Sequence, residues 1–247
     1  MPTTTQVGLS RKIAVLVDGD NAQPALLEKI LAEASKYGIV TIRRIYGDWT
    51  TSNMGGWKDK LHTHAIQPIQ QFRYTTGKNA TDSAMIIDAM DIVYTGSVEG
   101  FCIVSSDSDY TRLATRIREK GLFVMGVGRK TTPRAFVNAC EVFVYTENLA
   151  ADREYSAKKG SKKRGSATTS DVLDPLDLLK EAFELVVDED GWAPLNMMGQ
   201  QLRQLDPGFD PRTYGHKQLS LLLRAHRTAF TVRKHQNELQ VKLAGRK

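Results

Sequence analysis

The sequence predicts a two-part chain: an α/β unit on a mainly parallel sheet, then a small winged-helix-like unit. Three observations predict it. Up to about residue 148, short apolar runs alternate with segments of helical period, the pattern of a parallel sheet with helices on both faces. Residues 151–170 interrupt that pattern with a polar, basic tract too hydrophilic to bury anything. Beyond it come three amphipathic segments and two short alternating ones, which together suit three helices and a hairpin.

The elements follow in order. Residues 1–10 are Thr-rich and expected to be disordered. Ile13–Val17 is a continuous apolar run, suited to a strand buried on both faces. Leu26, Leu27, Ile30, Leu31 and Ala34 give Pro24–Tyr37 a helical period, which Gly38 ends. Ile39–Tyr46 reads as a second strand. The polar loop at 47–56 and the neighbouring Trp57 are candidates for shaping a groove, through Trp49, Asn53 and Trp57. Trp57–Ala65 reads as a short helix, Ile66–Tyr74 as a weaker strand and Thr75–Asn79 as a turn. Thr81–Tyr94 is a clear helix, with Met85, Ile86, Ala89, Ile92 and Val93 on one side. Phe101–Ser105 is the central strand. Tyr110–Lys120 is a helix stopped by Gly121. Leu122–Val127, Pro133–Ala139 and Val142–Tyr145 then read as strand, helix and strand.

In the second part, Leu176–Val187 and Leu195–Leu205 are amphipathic helices separated by a turn at Gly191 and Trp192. Asp210 and Pro211 signal the start of a third helix, running through Tyr214, Leu219, Leu222 and Leu223. Phe230–Val232 and Leu239–Leu243 read as a hairpin.

The formal charge of +6 leans toward an anionic partner, and the excess is uneven. Arg153, Lys158, Lys159, Lys162, Lys163 and Arg164 face only Asp152 and Glu154 in the central tract. Cys102 and Cys140 fall in apolar runs and read as core thiols. No apolar segment approaches the ~18 residues that span a bilayer, and the N-terminus lacks a signal-peptide layout. A cytoplasmic protein without membrane attachment is expected.

Aspartates close two of the buried strands. Asp18 and Asp20 follow the first, and Asp107 and Asp109 follow the central one. Open α/β sheets place their ligand crevice at the carboxyl ends of such strands. Asp82 joins them from the first turn of a helix, where the dipole favours an anion. Carboxylates crowded into one volume repel, and a cation would hold them ionised. Oxygen-only ligands favour Mg²⁺ or Mn²⁺ over zinc. Asp18, Asp82, Asp107 and Asp109 are therefore the candidate catalytic and metal-ligating residues, in an arrangement suited to metal-assisted phosphodiester hydrolysis. Asp88 is a secondary candidate, because it sits ~240° around the helix from Asp82. Asn21 is another, either as a ligand or as a brace for Asp18, and Asp20 reads as a loop cap.

Other chemistries fit less well. His62 and His64 have no nearby cysteine pattern for zinc. Gly126 and Gly128 follow a strand but lack the third glycine of a dinucleotide fingerprint. Asp18-Gly-Asp20 resembles the opening of a haloacid-dehalogenase-type phosphatase, but Ala22 stands where that family has Thr or Val.

Three spaced motifs carry a closer resemblance. They are Asp18-Gly-Asp20-Asn21, the stretch from Gly77 through Asp82 to Asp88, and Val104-Ser-Ser-Asp107-Ser-Asp109-Tyr110. Over residues 11–149 the chain resembles the NYN domain, a PIN-like ribonuclease fold, of the bacterial DUF88/LabA-like type. That resemblance implies a three-layer α/β/α fold, an acidic pocket binding Mg²⁺ or Mn²⁺, and RNA as substrate. Asp18, Asp82, Asp107 and Asp109 fall on the family's acidic positions, Asp88 on a further one and Asn21 on its polar one. Ser106 replaces the usual glycine before the third motif, and Tyr110 replaces a Phe.

Residues 172–245 resemble an OST-HTH/LOTUS domain, through Gly191-Trp192-Ala-Pro-Leu195, Phe209–Gly215 and Lys217–Leu222. This implies an RNA- or protein-binding module, with structured or G-rich RNA as a target. Residues 171–247 are electrically balanced, with eleven basic and eleven acidic residues. Arg212, Tyr214, His216, Lys217 and Arg224 are nonetheless the candidate RNA-binding face, and Tyr214 is equally a candidate for core packing. Lys158, Lys159, Lys162, Lys163 and Arg164, in a linker at 150–171, would add salt-sensitive phosphate affinity. The reading is a metal-dependent endoribonuclease, and its alternative is a non-catalytic RNA-binding adaptor.

Overall fold

The computed structural model describes residues 11–72, 80–150 and 174–245, which form two compact units, one on each side of the 151–173 tract. The expectations for residues 1–10, for the turn at 75–79 and for the basic linker lie outside the described residues.

In the first unit, six strands form one sheet: β1 (Lys12–Asp18), β2 (Ile39–Gly47), β3 (Gln67–Gln70), β4 (Gly100–Val104), β5 (Phe123–Gly128) and β6 (Val142–Tyr145). The order is β3-β2-β1-β4-β5-β6, and all five pairings are parallel. The strand order reverses between β1 and β4, so the crevice of the sheet opens at the carboxyl ends of these two strands. Both are buried along nearly their whole length, which accounts for their unbroken apolar sequences.

Alternation along β1 distributes its side chains between two cores. Ala14 and Leu16 pack with α3 (Ala80–Thr95), α4 (Thr111–Glu119) and α5 (Arg134–Ala139) on one face. Ile13, Val15 and Val17 pack with α1 (Leu27–Ala34), Met54 and Trp57 on the other. The short α2 (Lys58–Thr63) follows Trp57. The result is the three-layer α/β/α arrangement. Cys102 and Cys140 are buried free thiols, and burial pushes the Cys102 thiol up to about 12.

The loop expected at 47–56 is more ordered than its polarity suggests. Ser52–Trp57 forms a 3-10 helix that buries Met54 and Trp57. Trp57 donates from its indole nitrogen to the Gly19 carbonyl at 3.1 Å, and Met54 closes over Gly19. A Cβ at Gly19 would lie 2.7 Å from the Met54 methyl and 2.8 Å from the Tyr46 carbonyl oxygen, so only glycine fits between Asp18 and Asp20. Trp49 donates to the Ile69 carbonyl at 3.1 Å. Trp49 and Trp57 thus hold the loop to the sheet.

The second unit contains α6 (Leu176–Glu184), β7 (Ala193–Pro194), α7 (Leu195–Leu205), α8 (Leu219–Ala225), β8 (Phe230–His235) and β9 (Glu238–Leu243). The hairpin gains β7 as a third strand, giving the order β7-β9-β8. The predicted third helix is not continuous from Asp210 to Leu223. Asp210 accepts a hydrogen bond from the Arg212 backbone N–H, but the turn it starts is a 3-10 helix ending at Tyr214. Gly215 then adopts a left-handed φ of 79°, and α8 begins anew at Leu219. A core of Leu179, Phe183, Met198, Leu202, Leu222 and Phe230 holds this unit together.

Candidate active site

Asp18 is the last residue of β1 and is 1% exposed. Asn21 donates to its Oδ2 at 2.7 Å and Ser105 donates to the same oxygen at 2.9 Å. The Asp20 backbone N–H reaches its Oδ1 at 3.2 Å. Burial raises the Asp18 pKa, the bonds from Asn21 and Ser105 oppose that rise, and the charges of Asp82 and Asp20 add to it.

Ser105 links the two strand ends. Its register follows from the pairing of Val17 with Val104. While donating to Asp18, its hydroxyl accepts from the Asp107 backbone N–H at 3.1 Å. Asp107 is in turn the N-cap of the 3-10 turn Ser108–Tyr110 and accepts from the Asp109 N–H at 2.9 Å. That turn aims Asp109 back at the crevice.

Asp82 approaches from α3, and the buried Tyr110 donates to its Oδ1 at 2.7 Å. One carboxylate oxygen each from Asp82, Asp107 and Asp109 lie within 4.8 Å of one another. Burial raises the Asp82 pKa despite the Tyr110 hydrogen bond, and the charges of Asp107, Asp109 and Asp20 raise it further. Burial and the nearby carboxylates also push the Tyr110 phenol up, so it remains a donor.

Three of the four predicted acids therefore converge, and Asp18, which accepts from Ser105, is near enough to Asp82 to feel its charge but is not one of the three. Asn21 braces Asp18. Asp88 belongs to a different arrangement: it accepts from the Arg44 guanidinium and from the Tyr46 hydroxyl, over β2. Asp20, read as a loop cap, accepts from Thr81 at 3.3 Å and so faces the start of α3. Ser105 and Tyr110 had no candidate role from sequence, and only the strand register and the pairing of α3 with the 108–110 turn reveal theirs.

In the second unit, the Arg212 guanidinium is bound to the Asp210 carboxylate, with contacts of 2.7 and 2.9 Å. Tyr214 packs against Phe209, ring centroids 5.9 Å apart, at the margin of the core. Arg224 and Lys217 are exposed. The linker candidates Lys158, Lys159, Lys162, Lys163 and Arg164 lie outside the described residues.

Residues 12–148 match the NYN domain, more than half of the chain. The chain belongs to the NYN family. Residues 173–241 match the OST-HTH/LOTUS domain, so the PIN-like NYN fold is joined to a small LOTUS unit. An uncharacterized protein of Methanocaldococcus jannaschii is 27% identical over 158 residues. The match covers 62% of this chain and 62% of that curated relative. Among solved structures, a Vibrio parahaemolyticus protein of unknown function is 19% identical, at a TM-score of 0.47, over 59% of this chain and 96% of its own. An uncharacterized Nitrosomonas europaea protein is 28% identical, at a TM-score of 0.29, over 36% of this chain and 93% of its own. No described helix of the NYN–LOTUS chain is long and apolar enough to cross a membrane.

Proposed function

We propose that this protein is a metal-dependent endoribonuclease that hydrolyses RNA phosphodiester bonds at Asp82, Asp107 and Asp109, with its C-terminal unit binding RNA. One observation carries the reading: three carboxylate oxygens converge within 4.8 Å at the crevice between β1 and β4 of a NYN domain.

The donor set fits a hard divalent cation. It is all oxygen and brings three carboxylates together, and burial, with the neighbouring carboxylates adding to it, raises the Asp82 pKa, which a bound cation would oppose. Mg²⁺ and Mn²⁺ are the ions it suits, and either would supply phosphate neutralisation and a more acidic water. The protein's own residues do the positioning. Tyr110 orients Asp82, Ser105 and the Asp109 N–H fix Asp107, and Asp18 lies close enough to Asp82 for their charges to interact. Asn21 and Ser105 hold Asp18 in its orientation.

In this reading, residues 11–149 are the nuclease domain and 172–245 the RNA-binding domain. The basic tract at 150–171 adds phosphate affinity. Lys217 and Arg224 offer exposed cations on the C-terminal unit, where structured or G-rich RNA or a protein partner would dock. The expected compartment is the cytoplasm.

The test is incubation of the full chain with end-labelled single-stranded and structured RNAs in Mn²⁺, beside a folded Asp107→Asn variant. Cleavage by the parent alone, abolished by EDTA, is expected. Equal binding by both proteins with no cleavage would instead make the protein a non-catalytic RNA-binding adaptor.

A further inference from the structure

Helices α3 and α4 leave the acidic cluster side by side. Their amino-terminal ends meet where Asp82 approaches Asp107 and Asp109. At the other end, the Lys120 ammonium lies 5.7 Å from the Tyr94 ring centroid. Between the two helices runs an open groove of about 820 Å³, whose lining includes Ile86, Met90, Asp109, Arg112 and Arg116. Asp109 belongs to both the groove and the cluster.

The two walls differ in chemistry. Ile86 and Met90 line the groove from α3, and Arg112 and Arg116 line it from α4 together with Glu119; Tyr94 and Lys120 continue the same four-residue steps just beyond the lining. Such spacing puts each set on one helix face. Tyr94 is 69% exposed and Ile87 beside the stripe is 63% exposed. Within the described residues, no hydrogen bond or ion pair occupies the Arg112 guanidinium. Arg116 pairs with the exposed Glu119 at 2.9 Å and also interacts with the exposed Tyr94 side chain of α3, surface contacts that a phosphate can displace.

We propose that this groove carries a single-stranded stretch of RNA running out of the acidic cluster. Arg112, Arg116 and Lys120 hold its phosphates, while Ile86, Met90 and Tyr94 pack against its unpaired bases. Cations beside an apolar and aromatic stripe match a strand whose backbone is anionic and whose base faces are open. A duplex hides those faces and would leave the apolar wall in water. Continuity through Asp109 ties the track to the cluster. The proposal rests on the ribonuclease reading, which supplies the reason for a phosphodiester to lie at that end.

The test uses the full chain carrying Asp107→Asn, which keeps an oxygen to accept from the Asp109 N–H. A single-stranded 4-thiouridine RNA is cross-linked by light and the modified peptides are identified by mass spectrometry. Cross-links are expected on the peptide holding Met90 and Tyr94, reduced at least tenfold for a duplex of the same sequence. Adding Arg112→Ala is expected to make the slope of log affinity against log salt about one unit shallower. Cross-links confined to the C-terminal unit, equal labelling by duplex, or a solution dimer that Tyr94→Glu dissociates would overturn the proposal. Cleavage by the parent is scored separately. Groove cross-links without parental cleavage would keep the track and remove the nuclease, and cleavage without groove cross-links would do the reverse.

Discussion

The Tyr110 hydroxyl donates to Asp82 Oδ1 across 2.7 Å, joining the turn that carries Asp109 to the helix that carries Asp82. Tyr110 stands where the resembled motif has Phe, so this chain gains a donor aimed at a candidate ligand. The hydrogen bond favours the ionised form of Asp82 against the burial and the carboxylates that oppose it.

Replacing that donor tests its role. Tyr110→Phe keeps the ring in its core site beside Phe136 and removes only the hydroxyl. Mn²⁺ affinity, followed by titration calorimetry, is expected to fall roughly 10–100-fold, the range for partners that orient metal ligands. Cleavage at saturating Mn²⁺ should recover more fully than cleavage at limiting Mn²⁺, which a general loss of folding would not produce.

The burial of Asp82, with the neighbouring carboxylates adding to it, gives a stability prediction of opposite sign to the activity loss. Its folded pKa lies above the ordinary 3.8, so between these values the folded state holds more protons than the unfolded one. Stability therefore falls as pH rises through that window, and the full penalty is present at neutral pH without metal. Asp82→Asn removes the penalty. The metal-free variant is expected to melt above the metal-free parent at pH 7, by about 2–4 °C per kcal/mol. The two melting temperatures should converge as pH drops toward the carboxylate range, and the variant should cleave no RNA.

Added cation should act in the other direction on the parent. A ligand bound only by the folded state stabilises it by about 2.7 kcal/mol at a hundred times its Kd. Mn²⁺ is expected to raise the parent's melting temperature in calorimetry. The rise should be absent in Asp109→Asn, which removes one of the three converging carboxylates.

The buried strands were legible in the sequence because parallel strands covered on both faces show as unbroken apolar runs, as in β1 and β4. Their aspartates were legible for the same reason, since each run stops where the crevice begins. The place of Asp18 was not. It depends on Ser105 arriving opposite β1, which follows from the register of Val17 with Val104 and from no local pattern. The third helix of the second unit failed at one residue. Asp210 and Pro211 start a turn as expected, but Gly215 at φ 79° breaks it before the apolar period of Leu219–Leu223 resumes. Arg112 and Arg116 are not legible as a site in the sequence, because charges at four-residue spacing read as an ordinary solvated helix face.

Asp88 separates structural from chemical acidity. Its carboxylate accepts from Arg44 and from the phenol of the fully buried Tyr46, and it is absent from the converging group. Asp88→Asn is expected to leave Mn²⁺ affinity unchanged while lowering stability by about 1–3 kcal/mol, because Arg44 loses its counter-charge and the Tyr46 hydroxyl a strong acceptor. Urea denaturation beside a Mn²⁺ titration checks both halves. A large loss of Mn²⁺ affinity would return Asp88 to the metal site.

Two arginines of the second unit should behave differently although both were candidates for RNA contact. Arg212 is tied to Asp210, the residue that caps the 211–214 turn, with side-chain exposures of 19% and 13%. Arg212→Ala should therefore destabilise the C-terminal unit, by roughly 1–3 kcal/mol for an uncompensated, hydrogen-bonded carboxylate. Arg224 is exposed in the last turn of α8. Arg224→Ala should leave melting unchanged, weaken RNA binding across sequences and make the salt slope about one unit shallower. RNA affinity indifferent to Arg224→Ala and Lys217→Ala together would move recognition off this face of the LOTUS domain.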